Sequence, residues 1–164
     1  VLNHVLVPLD ESHLAEKAIR YAESVINPSG GKITFLTVID VPATPYMFSP
    51  GPYSAPIIEG GMDDYENLIR NLTDHAKEYL QKAAQMVQNP DIKTAVRVQS
   101  GTPAEAILEV ATELDVDIVV MSTHGRSGLS RWVFGSVTQK VLNAGLVPVL
   151  VIPNIPDIGK KKKK

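Results

Sequence analysis

The sequence predicts an α/β protein: a single-domain, open, mainly parallel five-stranded sheet with helices on both faces. Three observations carry that expectation. Short runs rich in Val, Ile and Leu alternate with longer stretches whose apolar residues recur at helical spacing. Successive strands are separated by crossover-length connections, which suit right-handed parallel units rather than hairpins. Small residues gather after the fourth strand, at the carboxyl end where an open sheet takes its ligands.

Val5 to Leu9 forms the first strand, ended by Asp10, Glu11 and Ser12. A helix follows from Leu14, with Leu14, Ala18, Ala22, Val25 and Ile26 on one face, until the Asn-Pro-Ser-Gly-Gly run at 27–31 breaks it. Lys32 to Ile39 is the second strand. The segment Val41 to Gly61 holds five prolines and three glycines, which predict a mobile loop without regular structure. A second helix is expected from about Asp63 to Gln88, with Leu68, Leu72, Ala76, Tyr79, Leu80 and Ala83 on its inner face. Lys93 to Gln99 gives the third strand. Thr102, Pro103, Ala104 and Glu105 make a capping box with proline at the first helical position, and that helix continues through Ile107, Leu108, Ala111 and Leu114. Asp117 to Met121 is the fourth strand, Val137 to Asn143 the fourth helix, Gly145 its C-cap, and Val147 to Ile152 the fifth strand. Residues 1–154 thus form the expected domain, followed by a lysine-rich tail at 155–164.

The stretch from Met121 to Ser136 is the most informative. Glycine lets main-chain N–H groups approach an anion, and a helix start offers unpaired donors and a favourable dipole. Ser136 adds a hydroxyl there. Taken singly, Gly125 and Gly128 turn the chain and Ser136 caps a helix. As a set, with Gly125 and Gly135 ten residues apart and Arg126 and Arg131 between them, they describe an anion site. Arg126, next to the first glycine, is its expected charged contact. The ends of strands one, two and four deliver Asp10, the turn from Val38 to Asp40, and residues 122–125. These converge on one crevice if strands one and four are neighbours.

Composition narrows the classes. At 164 residues, with 44% hydrophobic and 21% charged side chains, the chain can bury a real core. No apolar run approaches the roughly 20 residues that span a bilayer. Pro8, Asp10 and Glu11 interrupt any secretory signal. There is no cysteine, which excludes disulfides and thiolate metal sites and fits a cytoplasmic protein. Lys160 to Lys164 supply five of the sixteen basic side chains, leaving eleven basic against eighteen acidic residues elsewhere. That acidic body argues against a specific nucleic-acid partner, and the lysine run reads as a solvated tail.

At this point the residues resemble the universal stress protein family, specifically its ATP-binding branch. That branch carries a glycine, two residues, a glycine, nine residues, then Gly-Ser or Gly-Thr. Here Gly125, nine residues and the pair Gly135-Ser136 match, while Ser122 stands in the first glycine's place. Val5 to Asp10, Phe35 to Ile39, the Gly101-Thr102-Pro103 helix start and Val147 to Val151 are similar too, so the resemblance spans residues 1–153. It implies a Rossmann-like fold of the adenine nucleotide alpha hydrolase-like type, with strand order 3-2-1-4-5. It implies ATP as ligand, with Mg2+, or AMP or another adenine nucleotide. Asp10 would meet the adenine or ribose end beside a wall shaped by Pro8 and Leu9, and Val38 would set backbone groups against adenine. Met121, Ser122 and Gly125 would line the ribose and phosphate path, and Gly135, Ser136 and Val137 would hold the phosphates. A Cβ at Ser122 would crowd the ligand if that position needs positive φ, which predicts weakened rather than abolished binding. The family also implies a homodimer through the last strand, Val147 to Ile152, and a short apolar edge strand invites such pairing.

The expected function is therefore a nucleotide-dependent regulatory, stress-response switch with slow hydrolysis at most. The chain has no Gly-x-x-x-x-Gly-Lys-Ser/Thr loop, and no carboxylate near Ser136 in sequence to orient a water. The alternative is a dimeric interaction module of the same family that binds no nucleotide, for which Ser122 is the sequence support. A nucleotidyl-transfer enzyme would call for a His-x-Gly-His pair near the first strand, which the sequence lacks. Asp10 also reads as a cap of the first helix, a role compatible with ligand contact. His124 has no second ligand at metal spacing, and His4, His13 and His75 form no pattern, so no side-chain metal site is expected. Trp132 and Phe134 read as packing.

Overall fold

The computed structural model describes residues 1–41, 61–123 and 135–153. Nine elements alternate along them: β1 (His4–Pro8), α1 (His13–Val25), β2 (Lys32–Ile39), α2 (Gly61–Ala84), β3 (Lys93–Ser100), α3 (Pro103–Glu113), β4 (Ile118–Ser122), α4 (Ser136–Ala144) and β5 (Val149–Ile152). Every strand pair is parallel and the order is β3-β2-β1-β4-β5, as expected. The chain lays strands outward from β1 to β3, then returns to the other side of β1 as β4. The order therefore reverses between β1 and β4.

Period-two alternation divides the core into two layers. Val5, Val7, Leu9, Ile33, Phe35 and Val120 meet Ala15, Ala18, Ile19 and Ala22 of α1 and Leu80 and Ala83 of α2 on one face. Leu6, Leu36, Val119 and Met121 meet Ala104, Ile107, Val110 and Ala111 of α3 and Val141 of α4 on the other. Alanine at the helix contacts lets the backbones approach the sheet closely, while the strands supply the bulk.

Several boundaries differ from expectation, each for a tertiary or local reason. Leu68 and Leu72 do not face inward; each is 39% exposed, whereas Ala76, Leu80 and Ala83 are buried. The 24-residue α2 spans about 36 Å, and an eight-residue strand about 26 Å, so the helix outruns the sheet it packs on. α2 also stops at Ala84, short of Gln88, where the Glu23 carboxylate accepts the amides of Gln88 (2.9 Å) and Asn89 (2.7 Å). Thr102 is the N-cap of α3 and Pro103 its first residue, but the Thr102 hydroxyl makes no capping bond, so the expected capping box is not formed. Thr102 is exposed, and Pro103 removes only the first of the unpaired donors at this helix start. β5 starts at Val149 rather than Val147 because Pro148 has no N–H to give, although its carbonyl accepts the Val119 amide at 2.9 Å. Gly145 closes α4 as expected, at φ 62° in the left-handed region.

Of the loop expected at 41–61, only Val41 and the helical Gly61 are among the described residues; the tail 155–164 lies outside them. Among the described residues, no helix is long and apolar enough to cross a membrane.

Candidate functional site

The carboxyl end of β1 is fixed by β2. The Leu9 amide donates to the Leu36 carbonyl at 2.8 Å, and the Leu9 carbonyl accepts the Thr37 hydroxyl at 3.1 Å. Leu9 is buried and Pro8 half-buried, so together they form a rigid shoulder below the exposed Asp10. Asp10 does not cap α1. Ser12 does: its hydroxyl accepts the Ala15 amide at 3.1 Å. Asp10 acts one step back, its Oδ1 accepting the Ser12 hydroxyl at 2.6 Å and the Ser12 amide at 3.2 Å. The cap and the acidic group are thus one hydrogen-bonded unit at the mouth of the reversal point.

From β2 and β4 come the apolar walls. Val38, Met121 and Val137 all belong to the layer covered by α3 and α4, so three residues distant in sequence meet on one face. Met121 is 5% exposed, so its side chain belongs to the core beneath the crevice. Ser122 is a buried strand residue and is not among the non-glycine residues with positive φ, which among the described residues are Glu11 and Asp115. The conformation that would have made its Cβ obstructive is not required.

The junction of β4 and α4 is held by two threonines that the sequence pattern did not mark. The Thr123 amide donates to the Ile152 carbonyl at 3.0 Å, and the Thr123 hydroxyl accepts the Gly135 amide at 3.3 Å. The Thr138 hydroxyl donates to the Ser122 carbonyl at 3.5 Å. Both threonines are buried. Nothing in the local sequence marks either threonine, so only the tertiary contact reveals their role.

Gly135 is the N-cap of α4, at φ −58° and ψ 153°, a conformation open to any residue. Its value lies in the missing side chain. No side-chain capping bond forms, and the first turn carries no acidic residue. One expectation is corrected: the Gly135 amide is engaged by Thr123, so it is not an open donor. The main-chain amides of Ser136, Val137 and Thr138 have no intrahelical acceptor and find none among the described residues. The Ser136 side chain is exposed beside them. These donors and the dipole of α4 make a start suited to an anion. Gly125 and Arg126, expected as the close approach and the charged contact, lie outside the described residues, as do Gly128, Arg131, His124, Trp132 and Phe134.

Two further polar groups reach this end from α2. His75 Nε2 lies 3.2 Å from Glu11 Oε2. The Tyr79 hydroxyl is buried with no acceptor in full hydrogen-bond geometry, the Glu16 carboxylate being its candidate partner; burial first, then the carboxylates of Glu16, Asp10 and Glu11, push its pKa well up. Nothing in local sequence singles out His75, because its partner is sixty-four positions away. Among the described residues, no group of three or more His, Asp or Glu is placed to hold a metal ion.

Fold and crevice define a doubly wound α/β protein whose strand order reverses over an uncapped helix start. The model of the Universal stress protein family matches residues 2–153, and the chain belongs to that family. Two relatives from Methanocaldococcus jannaschii are each 28% identical to it. Universal stress protein MJ0531 is matched over 90% of this chain and 80% of its own length, and universal stress protein MJ0577 over 90% and 93%. The solved structure of MJ0577 superposes with a TM-score of 0.74 at 25% identity, covering 96% of this chain and all of that one. The fold is shared with a universal stress protein in complex with cAMP (TM-score 0.59, 21% identity, 94% and 98% covered). It is shared too with a family member from Arabidopsis thaliana with AMP bound (TM-score 0.62, 16% identity, 98% and 97% covered).

Proposed function

We propose that this protein binds an adenine nucleotide, ATP with Mg2+ foremost, as in the family's ATP-binding branch, and acts as a nucleotide-dependent regulatory protein. The observation that carries the reading is the start of α4: three main-chain donors without acceptors among the described residues, no capping side chain and no acid in the first turn, placed at the reversal of the strand order. Ser136, Val137 and their neighbours would hold the phosphates. Asp10 would take the adenosine end, with Pro8 and Leu9 as its shoulder and Val38 and Met121 presenting main chain along the path. Gly125 and Arg126 complete the proposed set. Mg2+ would enter with the triphosphate. Hydrolysis is slow at most, since ground-state phosphate donors alone do not stabilise a transition state selectively.

AMP and cAMP in family members of the same fold support an adenine ligand. The rival reading, an interaction module that binds no nucleotide, drew its support from Ser122, and that support weakens because Ser122 sits in ordinary strand geometry. Mass analysis of small molecules retained through gentle purification, followed by titration with ATP, tests the proposal. A retained adenine nucleotide and saturable ATP binding are expected; an empty protein that ATP does not saturate overturns it.

We propose also that β5 pairs with its copy in a homodimer. β5 is an edge strand bordered by the 69% exposed Leu146, an apolar margin that self-association would cover.

A further inference from the structure

The turn that carries Asp10 is held from outside the crevice. Glu11 stands between Asp10 and Ser12, and its φ of 64° places a non-glycine residue in the left-handed region. Such a conformation is sparsely populated and persists where its surroundings impose it. On one side the Ser12 hydroxyl and amide clasp Asp10 Oδ1. On the other, His75 of α2 reaches Glu11 at 3.2 Å. One helical turn further along α2, the Tyr79 hydroxyl is buried, with Glu16, Asp10 and Glu11 as its acidic neighbours. His75 and Tyr79, four residues apart, lie on the same side of α2 and address the same turn.

From this geometry we propose that His75 is a positioning residue: through Glu11 it holds the left-handed turn that presents Asp10 to the adenosine end of the nucleotide. The inference rests on the nucleotide reading above. If Glu11 relaxes to negative φ, the peptide planes flanking it rotate and the Asp10–Ser12 clasp is lost. The His75 contact serves whether the ring is charged or neutral with its proton on Nε2. Both side chains are largely solvent-accessible, at 69% for His75 and 42% for Glu11, so the effect on affinity is modest, about two- to fivefold.

Calorimetric titration of the full chain with ATP and with inorganic tripolyphosphate separates the two ends of the ligand. His75→Ala is expected to weaken ATP about two- to fivefold and leave tripolyphosphate unchanged. His75→Gln, whose amide can donate to Glu11, is expected to restore ATP affinity. In a Glu11→Gly background, adding His75→Ala should change nothing further. Equal ATP affinity in wild type and His75→Ala overturns the positioning role and leaves the nucleotide reading standing. Parallel losses for ATP and tripolyphosphate indicate a structural role and also overturn it. A wild-type protein that binds no ATP removes both.

Discussion

Ser122 carries a Cβ where the resemblance implied glycine, and its position inside β4 explains why the fold accepts it. Ser122→Gly is expected to leave ATP affinity within about twofold while lowering stability by about 0.5–1 kcal/mol, the backbone-entropy cost of glycine in a strand. ATP titration and urea unfolding curves check the two halves; a large gain in affinity would mean that the serine does obstruct the ligand. Tyr79 is the converse case, a buried polar atom whose candidate partner, the Glu16 carboxylate, is not in full hydrogen-bond geometry. Tyr79→Phe removes a buried hydroxyl that makes no well-formed bond, so stability should hold within about 1 kcal/mol. A clear loss on denaturation would show that the hydroxyl has a partner. At the opposite end of the sheet, burial first and Lys32 second lower the His4 pKa, and its ring nitrogen lies 2.9 Å from the Thr34 hydroxyl. The folded state thus disfavours the proton that the unfolded chain takes up near the ordinary value of 6.5. Stability is level above that value and falls as pH drops below it. Asp117, lowered by the amides of His4 and Asn3, adds a second decline in the same direction below the ordinary 3.8. The pH dependence of thermal unfolding between about pH 5 and 7 should be shallower for His4→Gln than for wild type.

Elements show what the sequence makes legible and what it does not. β1 and β2 are readable because both faces are buried, which leaves continuous apolar runs bounded by Asp10 and the 27–31 break. Gly145 is readable because a left-handed C-cap favours one residue type. Periodicity puts Leu68 and Leu72 on the inner face of α2, yet both are exposed, because a helical repeat cannot report where the sheet ends. Asp10 and Ser12 are both good capping residues, and only the Ser12–Ala15 bond decides between them. The Gly135-Ser136 pair was legible as a helix start; the threonines behind it were not, since Thr123 and Thr138 act across sixteen residues or fewer of chain that carries no periodic pattern. Removing the Thr123 hydroxyl should therefore loosen that start. Thr123→Val keeps the shape, frees the Gly135 amide, and is expected to cost about 1–2 kcal/mol on chemical denaturation. No change in stability would contradict the assigned role.

Across the whole molecule, two features of the topology meet: a strand-order reversal with an open helix start, and a free edge at β5. Sedimentation of the full chain should give a dimer, and a monomer at all concentrations would exclude pairing through that edge. The nucleotide reading depends on the donors of α4 being left for a ligand rather than used by the protein. Gly135 adopts angles that any residue can take, so a carboxylate can be placed there without straining the backbone. Gly135→Asp supplies the missing cap and an acid beside the helix dipole, which should raise stability by about 0.3–1 kcal/mol. The most direct measurement is calorimetric titration of ATP into wild type and Gly135→Asp. Saturable binding to wild type and none to the better-capped variant is the predicted result; equal binding by both would contradict it.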